Sequence, residues 1–132
     1  MFDWLTIFDW VDKYELQTLS ELMQERFLKK GDYLFNQWDD AIAMYVVKEW
    51  EMNLLKNDSY IWSMKKDSMF GEKAFLEWFD KRLLSAKAEE DSILIVMLYD
   101  SFEHFLKKHP TYKERMLKDF NEYNVEAKIE KW

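Results

Sequence analysis

From Phe27 to Leu98 the chain repeats one pattern, a short run rich in β-branched and aromatic residues followed by a polar cluster. The runs are Tyr33-Leu34-Phe35, Met44 to Val47, Met52 to Leu55, Tyr60 to Met64, Leu83 to Ala88 and Ile93 to Met97. Each is too short for a stable helix and reads as a strand. Asn36-Gln37-Trp38-Asp39-Asp40, Lys48-Glu49-Trp50, Asn57-Asp58-Ser59 and Glu89-Glu90-Asp91 read as hairpin turns. A chain that reverses this often folds as an antiparallel, all-β core. One stretch breaks the rhythm: Glu72 to Phe79 places alanine, leucine and aromatics at helical spacing directly after Phe70-Gly71. The spacing predicts a short helix inserted between two strands.

Helical signals flank the core. Asp12 with Glu15 forms a capping-box pattern ahead of Leu16, Leu19, Leu22 and Met23, which share one face. Asp100 with Glu103 opens a second such pattern, with Phe102, Phe105 and Leu106 on its face and Pro110 as its stop. From about Thr111 a last helix is predicted, its apolar stripe formed by Tyr112, Met116, Phe120, Tyr123 and Ala127. The division is an N-terminal helical segment over 1–26, the β core over 27–98 and C-terminal helices over 100–132, in one domain.

Composition narrows the functions. The 132 residues bury enough surface to fold without staples, and the absence of cysteine excludes disulfides, thiolate metal sites and a cysteine nucleophile. A net charge of −7 argues against a surface that neutralises phosphates on DNA or RNA. The longest apolar run, Ile93 to Tyr99, falls far short of the roughly 20 residues that span a bilayer. The N-terminus lacks a signal-peptide pattern, so a cytoplasmic protein with neither nucleic acid nor membrane as partner is expected. Glycine is scarce: at the usual proportion of about 7% there would be about nine, yet only Gly31 and Gly71 are present, beside seven tryptophans. Large side chains stand where turns ordinarily take glycine.

The stretch with a chemical reading is Phe70-Gly71-Glu72-Lys73-Ala74-Phe75-Leu76, followed by Arg82-Leu83-Leu84-Ser85-Ala86-Lys87-Ala88. A glycine opening a helix exposes unpaired N–H groups at the positive end of its dipole, which suits a phosphate. Arg82, returning on the next strand, brings a planar fork to the same anion. Glu72, acceptor-only when ionised, suits a sugar hydroxyl. Together these groups match a nucleotide, while a helix start with a surface ion pair is the plainer alternative. Elsewhere, His104 and His109 lie five apart and do not share a helical face as a metal pair would. Both read as surface histidines, and Glu89-Glu90-Asp91 as a solvated loop with too few ligands for calcium. The tryptophans and methionines read as core, except Trp38 and Trp50, which fall in turns. No metal site and no catalytic constellation is nominated, and the chain is read as a non-enzyme.

The order of these features resembles the cyclic nucleotide-binding domain family, the module of the catabolite activator protein and of regulatory subunits of cAMP-dependent protein kinase. The resemblance covers roughly Leu5 to Phe120. It includes Leu28-Lys29-Lys30-Gly31-Asp32-Tyr33-Leu34-Phe35 as first strand and glycine turn, Ala43 to Val47 as third strand, and Asp91 to Val96 before the closing helices. It implies a mainly β fold, a β-jelly-roll (double-stranded β-helix) with an N-terminal helix, a short inserted helix and two C-terminal helices. It further implies that Phe70 to Ala88 is a phosphate-binding cassette. Glu72 would bind the ribose 2′-hydroxyl and Arg82 the cyclic phosphate. Gly71 and nearby amides would complete the cradle, with Phe70, Lys73, Ala74, Leu83 and Leu84 as further ligand-binding positions. The ligand is then cAMP or cGMP. With the sequence ending at Trp132, the output is expected to pass to a downstream protein, or to a second copy through the C-terminal helix.

Several positions depart from the family pattern. Trp38, Trp50 and Asp67 stand at usual turn glycines, and Ile42 at a frequent aspartate. Leu83 replaces a serine or threonine and Leu84 a small residue. A second reading therefore stands beside the first, a degenerate or engineered relative that keeps the fold, no longer binds nucleotide and serves as an interaction or scaffold protein.

Overall fold

The computed structural model describes residues 11–71, 80–112, 114–115 and 118. Helix α1 (Lys13–Glu21) leads into β1 (Met23–Leu28), β2 (Tyr33–Phe35), β3 (Ala43–Glu49), β4 (Met52–Lys56), β5 (Ser59–Met64), β6 (Met69–Phe70), β7 (Ser85–Ala88) and β8 (Ser92–Leu98), followed by α2 (Tyr99–Lys108). The strands form two four-stranded antiparallel sheets, ordered β1-β8-β3-β6 and β2-β7-β4-β5. This is the mainly β, jelly-roll arrangement with flanking helices that the sequence led us to expect.

Two apolar layers result. Between the sheets lie Phe35, Tyr45, Val47, Met52, Leu54, Met64, Phe70, Leu84 and Leu94. On the outer face of the first sheet, Met44, Val46, Met69, Ile95 and Met97 are covered by Leu19 of α1 and by Phe102, Phe105 and Leu106 of α2. The run Ala43 to Val47 is buried throughout because alternate side chains enter these two different layers. Among the described residues no helix covers the outer face of the second sheet, and Tyr33, Tyr60 and Trp62 are exposed there.

The turns carry their geometry in unusual residues. Asn57 (φ 51°) and Asp58 (φ 65°) make the two-residue β4–β5 hairpin with positive φ at both positions, the type I′ requirement. Trp38 (φ 76°), Trp50 (φ 68°) and Asp67 (φ 70°) hold the left-handed conformation that glycine ordinarily supplies in turns. Both tryptophans are 65% exposed. Trp62 is also on the surface at 37%, so none of the three described tryptophans belongs to the core, whereas Met44, Met52, Met64, Met69 and Met97 do. Aliphatic, thioether and single-ring aromatic side chains fill the two layers, and the three described indoles stay outside.

Boundaries differ from expectation at several places. The β core starts at Met23 rather than Phe27, because Met23 to Leu28 pair in full register with β8. Leu83 and Leu84 form a bend before β7, and β3 runs through Glu49, leaving Trp50 as the turn. Asp12 caps α1 by accepting from the Tyr14 N–H, but Glu15 does not close the box, because its carboxylate meets His109 Nε2 at 2.8 Å. Asp100 is not a cap, since α2 begins at Tyr99 with Leu98 at the cap position and no side-chain bond there. His109 is half-buried, stacked on Tyr112 (5.3 Å) and tilted against Phe105 (4.8 Å) rather than on the surface, while His104 is exposed. Helical backbone resumes at Pro110, a favoured first helical position, rather than at Thr111. The inserted helix at Glu72 to Phe79 and the stripe residues Met116, Phe120, Tyr123 and Ala127 lie outside the described residues.

Candidate anion site at the cassette

The backbone around Arg82 is fixed from both sides. Arg82 N–H donates to Asp39 O (2.8 Å), and Arg82 O accepts from Trp38 N–H (2.7 Å). Ala41 N–H donates to Asp80 O at 2.8 Å, and the Lys81 ammonium pairs with Asp40. Hydrogen bonding to Asp40, and then its charge, hold Lys81 above its ordinary pKa. The turn carrying Trp38 thus forms a short antiparallel ladder with the end of the cassette, and the left-handed backbone at Trp38 aims that ladder. Ser85 joins the same wall, its hydroxyl accepting from Gln37 N–H at 2.7 Å.

The Arg82 side chain enters the space between the sheets and is 4% exposed. Nη1 donates to Gly71 O at 3.0 Å and to the Tyr99 hydroxyl at 3.2 Å, and Nη2 donates to Ala43 O. The guanidinium carbon lies 4.3 Å from the centre of the Phe35 ring, 5.5 Å from Tyr45 and 5.8 Å from Tyr99. Phe35, Tyr45 and Phe70 pack against one another, Tyr45 stacking on Phe70 at 5.3 Å. Nε is buried and makes no hydrogen bond, and no carboxylate among the described residues pairs with Arg82. Among the described residues the cation is therefore held by two carbonyl dipoles, the Tyr99 hydroxyl and ring faces. Burying a charge without a counter-ion is costly, so such an arrangement favours an incoming anion.

Gly71 is what lets the cassette and the arginine meet. Its φ is +81°, and a Cβ there would lie 3.0 Å from Arg82 Nη1, 3.1 Å from Tyr45 Cδ2 and 3.3 Å from Ala43 O. Both the backbone conformation and the lack of a side chain are required.

The structure brings Phe70, Gly71 and Arg82 together. Leu84 is buried in the inter-sheet layer and Leu83 is half-buried on the bend. Glu72, Lys73 and Ala74 lie outside the described residues. Spacing does not identify Phe35, Tyr45, Tyr99 or the Ala43 carbonyl as neighbours of Arg82, because each reaches the site through sheet pairing or helix docking. Among the described residues no group of three histidines or acids could hold a metal ion, and no helix is long and apolar enough to cross a membrane.

This geometry can be set beside known proteins. The cyclic nucleotide-binding domain matches residues 25–109, from β1 to the end of α2 and including the whole stretch Phe70 to Ala88. The chain belongs to the cyclic nucleotide-binding domain family. It is 26% identical over 113 residues to a cAMP-dependent protein kinase type II regulatory subunit from Drosophila melanogaster, covering 86% of this chain but only 30% of that protein. Its fold is similar to the C-linker/CNBHD of zELK channels, crystallized in the presence of cAMP (TM-score 0.83, 21% identity, 91% of this chain and 62% of that one). It is also similar to the Thermus thermophilus catabolite activator protein (TM-score 0.76, 21% identity, 94% of this chain and 60% of that one). Domains of this family bind cyclic nucleotides and are regulatory rather than catalytic.

Proposed function

We propose that the protein is a cytoplasmic, non-enzymatic regulatory domain that binds cAMP or cGMP and acts through a partner protein or by self-association. The observation that carries this reading is Arg82, a buried guanidinium with an unpartnered Nε and, among the described residues, no carboxylate paired with it, 3.0 Å from the carbonyl of the glycine that opens the cassette. A cyclic phosphate supplies the missing negative charge and acceptors. Glu72 takes the ribose 2′-hydroxyl, while Gly71 and the amides near Phe70, Lys73 and Ala74 complete the cradle. Leu83 and Leu84, which follow Arg82 in the chain, add apolar bulk near the ligand. The phosphate draws the cassette inward, and the final helix moves over the base. Binding then shifts a two-state equilibrium by the difference in affinity between the two forms.

Calorimetric titration with cAMP and cGMP is the direct test. Arg82→Ala is expected to weaken binding by about 1.5–3 kcal/mol, the scale of a charge-assisted hydrogen bond, and Arg82→Lys to recover only part because a point charge lacks the fork. Equal affinities for wild type and Arg82→Ala reject the role.

A second reading has its own support. The Nη donors of Arg82 already have protein acceptors, and Leu84 packs in the core. A protein that gives no heat with either nucleotide is the degenerate, scaffold form.

A further inference from the structure

Tyr99 has no part in the cassette pattern, yet three of its interactions converge on Arg82. Its hydroxyl donates to Gly71 O and accepts from Arg82 Nη1. Its ring is one of the three that surround the guanidinium. Its backbone N–H donates to Ile42 O at 2.9 Å, next to the Ala43 carbonyl that takes Nη2. Tyr99 is also the first residue of α2, and that helix start has no side-chain cap of its own. One side chain therefore joins the opening glycine of the cassette, the buried cation and the beginning of the C-terminal helices.

We propose that Tyr99 is a positioning residue, a latch whose hydroxyl holds Arg82 in its inward pose against Gly71 and ties that pose to the start of α2. The ligand side of this inference rests on the nucleotide reading above; the latch itself does not. An anion that engages Arg82 competes with the Tyr99 hydroxyl and the two carbonyls for the same N–H groups. The apparent dissociation constant is the intrinsic one divided by the fraction of molecules with Arg82 free, so a latch lowers the apparent affinity and its removal raises it. A tyrosine that only filled space would behave in the opposite way, since its loss would loosen the site and weaken binding. Releasing the hydroxyl from Gly71 O also removes the side-chain tie between the cassette and the first residue of α2, so the same exchange of partners reaches that helix.

Tyr99→Phe keeps the ring and removes only the hydroxyl, and Tyr99 is half-buried, so the variant folds with little loss. Two measurements on the full chain test the latch. By calorimetry, cAMP is expected to bind Tyr99→Phe about three- to tenfold more tightly than wild type, the net factor for one hydrogen bond. By nitrogen NMR without ligand, rotation of the Arg82 guanidinium about its Nε–Cζ bond is expected to be hindered in wild type and faster by a similar factor in the variant. Should neither protein bind cAMP while rotation still accelerates in Tyr99→Phe, the nucleotide reading fails and the latch stands. Identical rotation in the two proteins, or cAMP affinity that is unchanged or weaker in Tyr99→Phe, overturns the latch.

Discussion

At Trp50 a bulky residue holds φ at 68° with its ring 65% exposed, so its side chain contributes little burial to offset the strain of the left-handed region. Trp50→Gly should therefore raise stability by about 1 kcal/mol, the released strain being partly cancelled by the freedom glycine adds to the unfolded chain. Urea denaturation at two protein concentrations checks this, and a destabilised variant whose midpoint depends on concentration would place the indole in an interface. Gly71 presents the converse case. Gly71→Ala meets a φ of +81° and brings a Cβ within 3.0 Å of Arg82 Nη1, so backbone strain alone should cost about 1–3 kcal/mol. The displaced guanidinium adds to that loss, and cAMP binding should fall with it. A variant with wild-type urea midpoint and affinity would contradict the close approach.

Between elements, a polar tie between the described helices is the Glu15–His109 pair at 2.8 Å, which joins the first turn of α1 to the cap of α2. His109 sits in the stack Phe105-His109-Tyr112, so one imidazole orients α1, α2 and the helical segment that resumes at Pro110. Glu15→Ala should lower stability by about 0.5–1.5 kcal/mol, the net worth of one hydrogen bond. The loss should appear in hydrogen exchange as faster opening of Lys13 to Glu21, with β3 and β8 unaffected. Uniform acceleration across the strands would mean that the helices and the roll unfold as one unit. The sequence showed both helices through their apolar spacing, but it assigned Glu15 to its own helix's cap. The true partner lies 94 positions away by number (109 − 15), beyond the reach of any local pattern.

Taken as a whole, the molecule has two apolar layers that share the first sheet, one facing the second sheet and one facing the helices. Leu54, fully buried between the sheets, and Phe102, fully buried under α2, report on them separately. Leu54→Ala should cost about 2–5 kcal/mol and Phe102→Ala about 3–5 kcal/mol. If the layers unfold together, both variants keep the wild-type denaturant slope. If the helical layer opens first, Phe102→Ala alone broadens the transition, as expected for a locally less stable unit.

The order of strands and turns was legible in the sequence because β-branched and aromatic runs with polar interruptions are local signals. The resemblance marked Trp38, Trp50 and Asp67 as residues at usual turn glycines and left open whether the turns had rearranged; the positive φ at all three decides that the left-handed geometry is kept. Phe70, Gly71 and Arg82 were identifiable as a group through motif spacing. Tertiary structure alone decided what surrounds the arginine. Phe35 and Tyr45 come from strands in different sheets, Ala43 offers only a carbonyl and Tyr99 arrives with a helix. A guanidinium can be satisfied by any acceptor or ring face within a few ångströms, so its partners are chosen by which elements pack together, a choice that hydrophobic burial makes over the whole chain and that no short stretch of sequence records.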